Sequence, residues 1–171
     1  MKITSVGASF AAAAVLFGGF AGPAQSAQPS VAPAAKKYST LVINQGAPKL
    51  TTSTITVGTD TESFVIFTAP LTNAKGQKFG EIVGNLTVLD VGGQQATSET
   101  RFREISYLLP GGQLVANGAS EYLGNEIELQ INKPVTIAIV GGTGKYLGAR
   151  GEVTTRRNAD GTYRHVIKLL K

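Results

Sequence analysis

Ala138-Ile-Val-Gly-Gly-Thr-Gly-Lys-Tyr-Leu-Gly-Ala-Arg-Gly-Glu-Val153 joins two apolar, strand-like runs through a glycine-dense connection. Within it, Gly141, Gly142 and Gly144 can adopt positive φ angles that residues with side chains reach only at an energetic cost. Glycines of this kind are typical of tight turns between antiparallel strands. The stretch therefore predicts a β-hairpin in which these three glycines are structural turn residues.

The same glycines do not form a nucleotide-binding motif. A Walker phosphate loop that ended at Gly144-Lys145 would need glycine where the chain has Ile139, and serine or threonine where it has Tyr146. A dinucleotide fingerprint would need a third glycine at Leu147. Both nucleotide motifs are thus excluded for this stretch.

Outward from the hairpin, short runs rich in β-branched and aromatic residues alternate with Gly, Asn, Asp and Pro, a pattern that predicts strands. The predicted strands are Tyr38–Asn44, Leu50–Val57, Ser63–Ala69, Gly80–Val91, Thr97–Leu109, Gln113–Ser120, Val135–Val140, Ala149–Arg156 and Tyr163–Leu169. Hairpin-sized connections between them predict an all-β fold whose antiparallel up-and-down sheet closes into a barrel. Glu121–Gln130 fits either a short helix or a strand.

The N-terminal residues have the features of an export signal. A positive charge at Lys2, an apolar run and small residues before Ala27 predict a signal peptide over residues 1–27. Residues 28–37 then form a flexible Pro/Ala leader, and residues 38–171 form a single β-barrel domain. We therefore expect a secreted or periplasmic protein without stable membrane insertion, because no later run is long and apolar enough to span a bilayer.

Composition excludes several kinds of site. The chain has no cysteine and one histidine, so thiol catalysis and metal sites built from cysteines or several histidines are out of reach, and no metal is expected. The net charge of +5 is not accompanied by interleaved basic and aromatic residues, so no nucleic acid partner is expected.

Four motifs, in this order along the chain, carry a family resemblance: Phe64–Thr72, Lys78–Gly84, Leu108–Gly118 and Val140–Gly151. Together they resemble the allene oxide cyclase and dirigent superfamily, and the resemblance spans Tyr38 to Leu170. It implies an eight-stranded antiparallel up-and-down β-barrel, commonly a trimer, whose apolar lumen binds a hydrophobic or aromatic small molecule without a cofactor. With the predicted signal peptide, the chain looks like an exported bacterial member.

Position by position, the resemblance transfers few functional groups. The plant families' characteristic acidic, tyrosine, aspartate and arginine residues are replaced at Val42, Leu86, Ser120 and Val135. Asn44 and Pro48 match positions of the cyclase group, whereas Ala69 stands where that group has a second asparagine. The resemblance therefore implies the barrel and its cavity more than either plant activity.

The remaining candidates for chemistry lie on one strand. Glu99, Arg101 and Arg103 share a strand face with Tyr107, and if that face points inward they form a polar floor that could orient a carbonyl or carboxylate. The candidate catalytic residues are thus Glu99, Arg103 and Tyr107. The alternative is an ion-pair ladder on the surface, which is the commoner arrangement of neighbouring opposite charges.

The candidate ligand-binding residues are Asn44, Pro48, Phe67, Tyr107 and His165. His165 alternates with Tyr163 and Ile167, so it can face the lumen, where a structural histidine is commoner than a base. Two functions stay open. The chain is either an exported barrel that steers the cyclisation or isomerisation of its guest, or a non-catalytic binding or structural barrel of the cell envelope.

Overall fold

The computed structural model describes residues 37–57, 60–89, 97–123 and 126–171. Predictions about the signal peptide over 1–27 and most of the leader over 28–37 lie outside these residues. The strands are β1 (Tyr38–Gln45), β2 (Lys49–Val57), β3 (Asp60–Asn73), β4 (Lys78–Leu89), β5 (Ser98–Leu109), β6 (Gly112–Leu123), β7 (Val135–Gly142), β8 (Gly151–Arg157) and β9 (Tyr163–Leu170). A short 3₁₀ turn, Gly144–Tyr146, stands between β7 and β8.

The strands close into a barrel. From β3 to β9 each strand pairs antiparallel with the next, β1 pairs with β9, and Ile43–Gln45 of β1 pairs with Leu71–Asn73 of β3. Strand β2 pairs with the first half of β3, so β1 and β2 pair with successive parts of β3 and together fill one of the eight strand positions. The corner between them is fixed by Gly46, whose N–H donates to the Pro70 carbonyl over 3.0 Å. The predicted all-β, eight-stranded antiparallel barrel is confirmed.

Alternation along each strand decides which side chains enter the lumen, because successive residues of a strand point to opposite faces. In β5 the odd-numbered residues from Arg101 to Leu109 are buried, and in β4 the even-numbered Ile82 and Leu86 are buried. At the Leu109 end the lumen is filled by fully buried aliphatic side chains. These are Ile43, Leu71, Ile82, Leu114, Ile139, Val153 and Ile167. At the Arg101 end the inner face is polar, so the barrel has one filled end and one end that carries functional groups.

The glycine-rich connection departs from the predicted tight turn. Strand β7 continues through Gly141 and Gly142, and of the three predicted turn glycines only Gly144 has a positive φ, of 58°. A Cβ atom on Gly144 would lie 2.2 Å from the Gly111 carbonyl oxygen, because the 3₁₀ turn packs against the β5–β6 hairpin. The connection is therefore a docked loop rather than a two-residue turn.

The structure decides two further points, the segment Glu121–Gln130 and the inner face of β5. Residues Glu121–Leu123 extend β6, while residues 126–130 form neither helix nor strand. The surface ion-pair ladder on β5 is wrong, because Arg101 and Arg103 are only 5% and 4% exposed and face the lumen. Their inward position follows from the register of β5, in which they continue the buried row of Ile105 and Tyr107.

Candidate functional site

A pocket opens into the polar end of the lumen. Its walls come from seven strands and from the segment after β6, and it encloses a cavity of about 30 Å³, with about 340 Å³ of empty space when the solvent at its mouth is included. It is lined by Gln45, Pro48, Leu50, Phe67, Leu86, Arg103, Tyr122, Ile127, Glu128, Leu129 and Tyr163. A volume of 30 Å³ accommodates one or two water molecules, so a larger guest requires movement of a wall.

Residues 126–131, which form one wall of the pocket, are here called the strap. It has no regular secondary structure apart from a single bridge between Ile131 and Arg157. Arg101 holds its first residues, donating from Nη1 to the Ile127 carbonyl over 2.9 Å and from Nη2 to the Glu126 carbonyl over 2.7 Å. Leu129 closes the pocket and is 2% exposed. The strap is thus a cover of irregular backbone held by side chains.

Glu128 fastens the middle of the strap to the barrel. Its carboxylate accepts from Arg157 Nη2 over 2.5 Å and from the Tyr163 hydroxyl over 2.9 Å. Burial is the main cause that raises the pKa of Tyr163, and acceptance of its proton by Glu128 raises that pKa further. Tyr163 therefore stays protonated and keeps donating to the strap across the physiological range.

Arg103 enters the pocket without a partner. It stands between Leu86 of β4 and Gly118 of β6 in the register of the sheet. Its Nε and Nη1 atoms are buried and have no hydrogen-bond partner. The neighbouring Arg101, by contrast, pairs with Glu99 and lies over the Tyr122 ring at 4.3 Å from the ring centroid. An unpaired buried guanidinium is costly, so Arg103 is the outstanding polar feature of the lumen.

A hydrogen-bonded cluster lies between this pocket and the apolar end. His165 Nδ1 is 2.9 Å from Thr155 Oγ1 and 3.2 Å from the Tyr107 hydroxyl, while Nε2 is 2.9 Å from Gln45 Oε1. Because the amide oxygen of Gln45 can only accept, Nε2 carries the proton and Nδ1 accepts from the two hydroxyls. Both ring nitrogens of His165 are thereby satisfied, and only Gln45 of this cluster lines the pocket.

Burial and Arg103 set the ionisation of the cluster. Desolvation, reinforced by the positive charge of Arg103, lowers the pKa of His165 to about 3, so the imidazole is neutral at pH 7. Desolvation raises the pKa of Tyr107 to about 12, against smaller lowering effects of Arg103 and Thr155. The cluster is therefore neutral, and within the described ranges the charge that acts on both His165 and Tyr107 is the guanidinium of Arg103.

The predicted site residues are distributed over three environments. Pro48, Phe67 and Arg103 line the pocket, and Tyr107 and His165 belong to the buried cluster. Glu99 is held by Arg101 and does not line the pocket. Asn44 lies on the opposite face of β1 from the buried Ile43 and Gln45.

Several pocket and cluster residues were not predicted from the sequence. They are Gln45, Leu50, Leu86, Tyr122, Ile127, Glu128, Leu129, Thr155 and Tyr163. The alternation of β9 provided a signal for Tyr163, because it shares the inward face of His165 and Ile167. No comparable signal marked Leu129, which lies in irregular backbone.

The outer surface of the barrel carries an apolar patch, formed by Ile55, Phe64, Ile66, Val83 and Val115. It lines an open groove of about 690 Å³, and Ile55 and Ile66 are 55% and 49% exposed. Among the described residues that line the groove, Glu104 is the one that carries a charge. A sheet face this poor in charge is typical of an interaction surface.

Comparison with solved structures identifies the class of fold. The chain resembles pyocyanin demethylase at 23% identity, covering 77% of this chain and 99% of that one with a TM-score of 0.53. It resembles the Diels Alderase AbmU from Streptomyces koyangensis at 11% identity, covering 81% and 70% with a TM-score of 0.54. It resembles the pterocarpan synthase dirigent protein GePTS1 at 17% identity, covering 79% and 85% with a TM-score of 0.50.

These likenesses show that the chain shares its barrel fold with a Diels Alderase and a dirigent protein, and a barrel of the dirigent kind is the fold that the sequence motifs predicted. No protein-family model matches the chain, and no curated protein does so. Among the described residues there is no helix of sufficient length and apolarity to cross a bilayer.

Proposed function

We propose that this barrel binds a hydrophobic small molecule in its lumen and steers the cyclisation or isomerisation of that molecule. The observation that carries the proposal is the mixed lining of the pocket. Aromatic and aliphatic side chains such as Phe67, Leu86 and Tyr122 surround the unpartnered guanidinium of Arg103. An interior that served stability alone would satisfy its buried polar groups, as the cluster around His165 does, because each unsatisfied one costs free energy.

Such a pocket would accelerate a reaction through its shape. A barrel wall is rigid, so a flexible guest held against it is restricted to few conformers, and reactions within the guest gain from orientation. The likeness to a Diels Alderase and to a dirigent protein supports this role through the fold. A charged group fixed at one end would set which end of the guest enters first.

Binding without catalysis is the second candidate, and His165 favours it. Both of its nitrogens are engaged and its pKa is about 3, so it neither meets the guest nor takes a proton from it at neutral pH. On this alternative the barrel is a lipid- or metabolite-binding or structural protein of the cell envelope.

Export and self-association are part of the proposal. The signal sequence over residues 1–27 supports a secreted or periplasmic location, for which the test is N-terminal sequencing of the mature protein, with cleavage expected after Ala27. The outer apolar patch supports a homo-oligomer, and the family resemblance favours a trimer.

Native mass spectrometry of the protein purified from its own host tests the main proposal. We expect a retained organic guest that is released on unfolding. Incubation of the extracted guest with fresh protein then separates the two candidates, because conversion to a cyclised or isomeric product supports catalysis and unchanged guest supports binding alone. A protein that carries no guest and binds no compound from a host extract would contradict both catalysis and small-molecule binding, and would leave only a structural role.

A further inference from the structure

We propose that Arg103 binds an anionic oxygen of the guest, so that the guest is an apolar molecule with a single carboxylate, enolate or phenolate group. The inference rests on the proposed function, since it requires a guest in the lumen. It adds the chemical class of that guest and the residue that recognises it.

The charges at the polar end of the lumen do not balance. Three arginines converge there, of which Arg101 pairs with Glu99 and Arg157 pairs with Glu128. Within the described part of the chain, Arg103 forms no ion pair and no hydrogen bond. One positive charge is therefore left over, and one negative charge on a guest would balance it.

The positive charge of Arg103 is also buried. Arg103 is 4% exposed, and its Nε and Nη1 atoms are sealed from solvent without partners. Water in the adjoining cavity could accept hydrogen bonds but could not neutralise the charge. A guanidinium binds carboxylate and similar oxygens with strong charge-assisted hydrogen bonds, so the missing partner fits an anionic oxygen.

The surroundings of Arg103 limit the rest of the guest. Phe67, Leu86 and Leu129 offer apolar contacts to its body. Glu128 lines the same pocket and would repel a second negative group on the guest. The lining therefore favours a monoanion with a hydrophobic body.

The test uses two probes of the same shape, 1-naphthoate and its neutral analogue 1-naphthamide, titrated into the full-length protein by calorimetry at low and moderate salt. Wild-type protein is compared with Arg103→Met, which removes the charge and keeps an apolar side chain of similar length. Arg164→Met, at an exposed position of β9, is the matched control for loss of one positive charge. Circular dichroism and thermal unfolding check that each variant is folded.

We expect the wild type and Arg164→Met to bind naphthoate more tightly than naphthamide, and Arg103→Met to bind naphthoate about 10- to 100-fold more weakly, with naphthamide unchanged. If naphthamide binds the wild type as tightly as naphthoate, or if Arg103→Met keeps full affinity for naphthoate, the inference is overturned while the proposed function stands. If neither probe binds and no host-derived guest is found, the proposed function fails and the inference fails with it.

Discussion

Tyr107 meets His165 edge to face inside the barrel, with ring centroids 5.4 Å apart and the tyrosine hydroxyl 3.2 Å from Nδ1. The two residues lie on strands β5 and β9, which are not neighbours in the sheet, so their contact crosses the lumen. Thr155 also donates to Nδ1, and Gln45 Oε1 accepts a hydrogen bond from Nε2. The contact ties opposite walls together at the boundary between the filled end and the pocket.

Acid is expected to weaken the fold through His165. Its pKa is about 3 in the barrel against 6.5 for an unperturbed imidazole, so between these values the unfolded chain binds a proton that the folded chain does not. The stability that the neutral, buried imidazole contributes to the fold is therefore complete above pH 6.5 and is lost as the pH falls toward 3. The free energy of unfolding should fall by about 1.4 kcal/mol per pH unit in this window from this residue alone.

Denaturant unfolding from pH 4 to pH 7 measures this slope, and His165→Asn is the comparison that removes the titrating group while the carboxylates remain. Because His165 is the one histidine of the chain, its imidazole NMR signal is unambiguous. A folded protein in which that signal titrates near pH 6.5 would contradict the prediction.

The two hydroxyls that donate to Nδ1 should be partly redundant. Tyr107→Phe or Thr155→Val removes one donor and leaves the other, so each is expected to cost about 1 kcal/mol. The double variant leaves the buried nitrogen without a partner, and its cost should exceed the sum of the single costs by about 1 kcal/mol or more. A double-mutant cycle by urea unfolding measures the excess, and simple additivity would show that the hydroxyls act independently.

The sequence predicted the barrel because strand length, turn residues and family motifs all depend on local patterns. It could not decide which face of β5 points into the lumen, because both faces carry apolar groups near Leu109. A row with Arg101 and Arg103 is compatible either with solvent or with a polar lumen. Closure of the barrel decides the question, because the arginines lie on the same face of β5 as the buried Tyr107 and therefore point inward.

The same kind of limit applies at β1. Family likeness pointed to Asn44, but the alternation that buries Ile43 places Gln45 in the lumen instead. A shift of one residue reverses which face a strand residue occupies, and sequence likeness at low identity does not fix it. The burial of Leu129 could not be predicted for another reason. The strap is irregular backbone, so its sequence has no helical or strand periodicity from which a buried position could be inferred.

Two adjacent glycines should differ sharply in their tolerance of alanine. A Cβ on Gly142 would lie 2.6 Å from the carbonyl oxygens of Gln113 and Tyr146, whereas a Cβ on Gly141 meets nothing closer than Arg150 Nη1 at 3.7 Å. Gly142→Ala is expected to cost about 1–3 kcal/mol by overpacking, and Gly141→Ala about 0.5 kcal/mol or less. Thermal unfolding of the two variants measures the difference, and equal costs would show that the backbone at Gly142 yields.

The outer patch should decide self-association. Ile66→Asp places a charge on a half-exposed apolar residue at its centre, so we expect the assembly to dissociate to a monomer that keeps its fold. Thr40→Asp, at an exposed position of β1 outside the patch, is the control and should keep the wild-type mass. Light scattering after size exclusion measures both, and a monomeric wild type would refute the proposed oligomer.

Leu129 should control access to the lumen, because it is the buried side chain by which the strap closes the pocket. Leu129→Ala removes most of that side chain and is expected to cost about 2–4 kcal/mol, since the space left behind is lined by packed groups that relax only in part. Ile131→Ala is a matched truncation in the same strap at a residue that is 50% exposed, so it should cost about 1 kcal/mol or less.

In Leu129→Ala the strap would still be held through Arg101 and Glu128, so it would stay over the pocket while the side chain that fills the opening is removed. We therefore expect 1-naphthoate to associate faster with Leu129→Ala than with the wild type in stopped-flow fluorescence, and Ile131→Ala to match the wild type. An unchanged association rate in Leu129→Ala would mean that guests reach Arg103 by another route.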